Sequence, residues 1–85
     1  MNVYDEKKKL YKMLSDQYSA NLKAAEQANT GFSSSRRRCW NVCYEFGYLK
    51  TFIEKCQEAD IPNDWYLWAS RRLDTIETSG EYYSD

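Results

Sequence analysis

The stretch "CWNVCYEFGYLKTFIEKC", Cys39 to Cys56, decides the fold of this chain. Within it Cys39, Val42, Phe46, Leu49, Ile53 and Cys56 recur at steps of 3, 4, 3, 4 and 3. That is the a/d seam of an amphipathic helix, held for two and a half heptads, and no period of two runs against it. Trp40, Cys43 and Phe52 widen the apolar face beyond what one neighbour covers. The stretch therefore predicts a central helix touched on more than one side.

Upstream, the same helix is expected to begin in Ser33 to Ser35, any of which can cap it, and it should run to about Ala59. Before it, Asn29-Thr30-Gly31 should stop a first helix, with Gly31 suited to the left-handed residue that ends many helices. That first helix is expected from about Val3 to Ala28. Asn2 is its N-cap, and Asp5 and Glu6 sit in the favourable first turn. Its apolar stripe is Tyr4, Tyr11, Leu14, Tyr18, Ala25 and Ala28, flanked by Leu10 and Leu22.

Downstream, "DIPND" breaks the central helix at Pro62, and Asn63 is expected to cap a third helix from about Asp64 to Thr78. Tyr66, Ala69, Leu73 and Ile76 repeat the 3-4-3 rhythm, with Trp65 and Trp68 on an adjoining strip. Gly80 ends it. The fold class is all-α: an antiparallel helical hairpin with a shorter third helix packed across it, a three-helix bundle. Residues 1–79 form one domain, and "GEYYSD", residues 80–85, is expected to be a flexible acidic tail.

Composition agrees. Of 85 residues, 42% are apolar and 16% aromatic, too many large side chains for a disordered chain. One Pro and three Gly argue against a turn-rich β fold. The chain is long enough for one small core and no second, so a homo-oligomer that shares apolar surface is consistent with its size. No apolar run reaches the length that crosses a bilayer, and "MNVYDEKKKL" lacks the apolar stretch of a signal peptide. Three cysteines, an odd number, cannot all pair within one chain. A cytoplasmic protein with reduced thiols and no membrane partner is expected.

The chain has no histidine, which removes the commonest general base, the usual activator of Ser and Cys nucleophiles, and the commonest metal ligand. Cys39 and Cys43 share one helix face, but Cys56 lies 13 residues further, roughly 20 Å along the same rod at 1.5 Å per residue. No metal site is expected, and the cysteines read as small apolar residues. Glu54 and Glu58 share a helix face beside Lys55 as a solvated edge, and Gly31 and Gly47 stand alone, outside any phosphate-binding loop. Catalysis and a cofactor are therefore not expected.

What remains is charge. Residues 1–53 hold nine Lys/Arg against five Asp/Glu, a balance of +4, while residues 54–85 hold three against eight, a balance of −5. The densest cluster is Arg36, Arg37 and Arg38, in the first turn of the central helix, where the macrodipole disfavours cations by some tenths of a kcal/mol each. With Cys39 at an a position, Arg36 and Arg38 flank the packed face and Arg37 points to solvent. Arg36 and Arg38 can pair with Glu26 or Asp74, or lie across Trp40, in which case they only balance charge. Alternatively the serine hydroxyls, free N–H groups and guanidiniums together take an anionic partner. Lys7 to Lys12, "KKKLYK", forms a second basic cluster roughly 25–30 Å away in an antiparallel hairpin, so the two make no compact nucleic-acid footprint.

The leading expectation is a non-enzymatic binding protein that inhibits or regulates a larger protein, or protein–nucleic-acid complex, by occupying its surface. Small helical proteins of this type include phage-encoded inhibitors of host defence. Arg36, Arg37 and Arg38 would supply charged contacts, and Trp65, Tyr66 and Trp68 would supply anchors, since Trp, Tyr and Arg are the usual hot-spot residues. The alternatives are an oligomer that sequesters a nucleotide-like anion between arginines and tyrosine rings, and a direct nucleic-acid binder.

Overall fold

A computed structural model describes residues 2–80; the acidic tail from Glu81 onward lies outside the described residues. The chain forms α1 (Val3–Ala28), α2 (Ser34–Glu58), a turn of 3-10 helix (Asn63–Tyr66) and α3 (Leu67–Ser79). Among the described residues there is no strand. The protein is an all-α three-helix bundle, with α2 packed against both α1 and α3.

The start of α1 follows its local chemistry. The Asn2 side chain accepts a hydrogen bond from the Asp5 backbone N–H at 2.8 Å, satisfying one of the helix's unpaired donors. The end of α1 differs from expectation. Gly31 does not take the left-handed conformation; the only glycine that does is Gly80, at the end of α3. The helix instead closes on Asn29, whose backbone N–H bonds Ala25 and Glu26 carbonyls. Its buried side chain donates to Asn41 Oδ1 at 3.0 Å. That bond ties the end of α1 to the start of α2 and fixes the turn of the hairpin.

The exit from α2 depends on a residue the sequence pattern did not mark. Asp60 has φ 56°, a left-handed conformation without glycine. The Ile61 N–H bonds Cys56 O at 3.0 Å and the Asp60 N–H bonds Gln57 O at 3.1 Å, the paired bonds of a Schellman cap. Ile61 and Cys56, both buried, make the apolar contact that accompanies this cap. The next residues also depart from expectation. Asn63 begins a 3-10 turn and does not cap α3; its Oδ1 accepts the Tyr66 hydroxyl at 2.7 Å.

The core sits where the three helices meet. Leu14 comes from α1; Val42, Leu49, Phe52 and Cys56 come from α2; Ile61 and Tyr66 come from the connection; Ala69 and Ile76 come from α3. On α2 the d positions Val42, Leu49 and Cys56 are buried, whereas the a positions Cys39, Phe46 and Ile53 are half-buried. Phe52, expected only to widen the face, is fully inside. The core is centred between the seam and Phe52 because α1 packs on the Phe52 flank, where Tyr11 and Tyr18 meet its ring. Ala28, expected on the packed stripe of α1, is exposed.

The backbones of α1 and α3 do not come together; long aromatic side chains span the gap. Tyr11 Oη donates to the Trp65 carbonyl at 2.7 Å and accepts from Trp68 Nε1 at 2.8 Å. Tyr4 meets Trp65 edge-on at 5.5 Å, and Tyr18 meets Trp68 at 5.8 Å. Tyrosines at 4, 11 and 18, one per heptad, thus form the side of α1 that reaches across. On the other side of α2, Arg72 of α3 holds Glu45 with two hydrogen bonds of 2.7 Å, Nε to Oε2 and Nη2 to Oε1. A bidentate, partly buried pair of this kind fixes the register of α3 on α2.

Candidate partner-binding face

Arg36, Arg37 and Arg38 occupy the first turn of α2 and make no ion pair or hydrogen bond through their side chains among the described residues. Neither Glu26 nor Asp74, the carboxylates that would make Arg36 and Arg38 simple charge balance, pairs with them. Orientation also departs from expectation: Arg36 and Arg38 are exposed and Arg37 is half-buried. Arg37 lies one turn before Asn41, the residue bonded to Asn29, so it is on the flank of α2 that faces α1. Ser33 stands at the N-cap without a side-chain cap bond, and the first turn holds no acidic residue. This end of α2 is thus a dense cationic point, and no carboxylate among the described residues neutralises it.

Beside it runs an aromatic stack that the spacing of the sequence does not single out. Phe32, Trp40, Tyr44 and Tyr48 stack in sequence. Their centroids are 6.4, 6.1 and 6.2 Å apart and their planes are within 30° of parallel. Trp40 is 44% exposed, Phe32 42% and Tyr44 39%, so three of the four residues are substantially open to water. Arg36, Trp40, Tyr44 and Tyr48 follow one another at i+4, which places guanidinium and rings on one stripe of α2. The signal was present in the sequence as aromatics at 40, 44 and 48. The helical period alone puts Trp40 on the widened apolar face, which obscures that signal.

The tryptophans expected as anchors sit elsewhere. Trp65 is half-buried against Tyr4 and Tyr11, and Tyr66 is 3% exposed with its hydroxyl bonded internally, so Tyr66 is core and not an anchor. Trp68 is 43% exposed, but its indole N–H is bonded to Tyr11 and its ring packs on Phe52 and Tyr18. These residues hold α1 to α3, and they do not join the arginines in one site. Lys8, Lys9 and Lys12, from the other basic cluster, line an open groove of about 570 Å³ with Asp5, Tyr11 and Ser15 along the N-terminal half of α1. Lys12 pairs with Asp16 at 2.8 Å there.

The thiols are all reduced. Burial pushes the Cys56 thiol up to about 11, and desolvation first, with contact to Cys39 second, raises Cys43 as well. Thiolate, the nucleophilic and metal-binding form, is therefore disfavoured at neutral pH. Burial also drives the Tyr18 hydroxyl up to about 12, with Glu45 adding to the effect. Among the described residues no group of three His, Cys, Asp or Glu is placed to hold a metal, and no helix is long and apolar enough to cross a membrane. Compared with protein-family models, with curated proteins and with solved structures, the chain matches none.

Proposed function

We propose that this protein is a non-enzymatic binding module that regulates a larger protein by seating the arginine end of α2 on an acidic surface of it. The observation that carries this reading is the set of three guanidiniums without partners among the described residues, beside exposed rings at Phe32 and Trp40. Charges that serve the fold are paired within it, as Arg72 is with Glu45. Charges left at a helix end that disfavours them, next to exposed aromatic area, match the composition of interface hot spots. A nucleic-acid-handling protein suits this chemistry, because the arginine end can address either an acidic patch or the edge of a bound phosphate backbone. Inhibition then follows from occupancy and needs no reaction.

The test is capture of partner by wild type and by the triple variant Arg36→Gln, Arg37→Gln, Arg38→Gln, with and without nuclease, across a salt series. The triple variant is expected to stay folded, since removing cations from a helix N-terminus does not weaken the helix. It should lose capture, while wild-type capture weakens steeply as salt rises. Capture that survives the triple change refutes the reading. Capture that disappears with nuclease favours direct binding of nucleic acid.

A further inference from the structure

Gly47 lies in the middle of α2, exposed, in ordinary helical conformation, and a Cβ built on it meets nothing within 4 Å. Glycine inside a helix costs roughly 1 kcal/mol relative to alanine. Among the described residues nothing compensates for that loss: no tight turn, no positive φ, no neighbouring backbone. A glycine on an exposed helix face does serve one purpose, which is to let another backbone approach closely.

The residues around Gly47 indicate what approaches. The outward stripe of α2 reads Arg36, Trp40, Tyr44, Gly47, Lys50, Glu54, Glu58, and every one of these residues is exposed. Positions 11, 7 and 3 before Gly47 are Arg36, Trp40 and Tyr44; positions 3, 7 and 11 after it are Lys50, Glu54 and Glu58. The stripe is self-complementary about Gly47. An antiparallel copy of α2, related by a twofold axis through Gly47, sets Arg36 opposite Glu58 and Tyr44 opposite Lys50. It also sets Trp40, whose indole N–H has no acceptor among the described residues, opposite the Glu54 carboxylate. Glu54 and Glu58 carry no internal ion pair among the described residues, and neither does Arg36.

We propose that two copies of this chain pair through the outer face of α2, antiparallel and centred on Gly47. The interface is isologous, as closed twofold dimers require. Each contact above occurs twice, and the glycines at the crossing bring the two helix backbones together. The stacked rings of Trp40 and Tyr44 become interior on pairing, which accounts for aromatic area that the monomer leaves in water. Arg37 and Arg38 stay clear of the seam, one set at each end of the pair. From the helical rise the two Arg38 positions are roughly 27 Å apart along the paired helices. The pairing takes Arg36 and Trp40 into the seam and leaves Arg37 and Arg38 at each end for a regulated partner, whatever its identity.

Sedimentation equilibrium of the full chain over a concentration series tests the pairing. Wild type should reach twice the chain mass. Gly47→Leu, which fits the monomer and favours helix, should retain its circular dichroism and sediment as a monomer. Arg36→Glu and Glu58→Arg should each weaken association by about tenfold or more, from two lost ion pairs and two new repulsions. The double variant Arg36→Glu, Glu58→Arg should restore it. A wild-type chain that remains monomeric, a dimer indifferent to Gly47→Leu, or a charge swap that fails to restore association overturns the proposal. If Gly47→Leu is monomeric yet still captures the regulated partner, the pairing is upheld separately from partner binding. If wild type is monomeric and captures partner, only the pairing falls.

Discussion

Replacing Tyr11 with Phe isolates the contact that holds the N-terminal half of α1 to the rest of the fold. The change deletes one oxygen and keeps the ring, so the edge contact with Trp65 at 5.8 Å and the tilted contact with Phe52 at 5.9 Å survive. Two hydrogen bonds disappear: the 2.7 Å bond to the Trp65 carbonyl and the 2.8 Å bond from Trp68 Nε1. A net hydrogen bond contributes about 1 kcal/mol, and a part-buried carbonyl left without its donor adds to that. The indole N–H belongs to an exposed residue and can turn to water, so its loss contributes less. The sum is about 1–2 kcal/mol. For a chain this size the urea m-value is about 1 kcal/mol/M, so the unfolding midpoint should fall by about 1–2 M. Tryptophan fluorescence reads it directly, because both partners of Tyr11 are tryptophans. Trp68→Phe should cost less in the Tyr11→Phe background than in wild type, since one bond is counted in both. A midpoint within about 0.3 M of wild type, or strict additivity in the double variant, refutes the role given to Tyr11.

Further outcomes follow from the same structure. Asp60→Gly should stabilise the protein by up to about 1 kcal/mol in chemical denaturation, by relieving a left-handed non-glycine residue at the Schellman cap. Phe52→Ala should cost about 3–5 kcal/mol and come close to unfolding the domain, whereas Phe46→Ala, at a half-buried site, should cost clearly less. Alkaline stability follows from Cys56 and Tyr18, whose burial lifts their folded-state pKa values above the ordinary 9.0 and 10.0. Below pH 9 their contribution is complete. It is lost as pH rises through about 11 for Cys56 and about 12 for Tyr18, because the unfolded chain releases these protons first. Urea midpoints measured from pH 8 upward should fall, and Cys56→Ala should flatten the part of that fall attributable to the thiol.

The sequence by itself determined what depends on short-range geometry. The steps of three and four in Cys39 to Cys56, the Asn2 cap and the break at Pro62 are local properties, and each matches a helix or a boundary in the fold. Periodicity sets which face of a helix is apolar to within about one residue step, and at that resolution the core was legible. It was not legible which apolar residues go deepest. That depends on the side from which a neighbour arrives, and α1, arriving on the Phe52 flank, drew Phe52 in and left Phe46 at the edge.

The same reason governs the candidate site. The three arginines could be named from sequence, but whether a carboxylate meets them is a matter of tertiary register. In the fold Glu45 goes to Arg72, and among the described residues the arginine cluster receives none. Trp65, Tyr66 and Trp68 could equally serve core or surface. Only the tertiary packing made Tyr66 interior, in the core with Cys56, and committed both tryptophans to Tyr11 across the gap between α1 and α3. Asp60 in a left-handed conformation and Asn29 bonded to Asn41 were beyond a pattern reading, since each is held by residues distant along the helix or across the turn. Gly47 shows the division most plainly. Its place in a helix is written in the sequence, but that nothing within the chain needs it to be glycine appears only once its neighbours are in place.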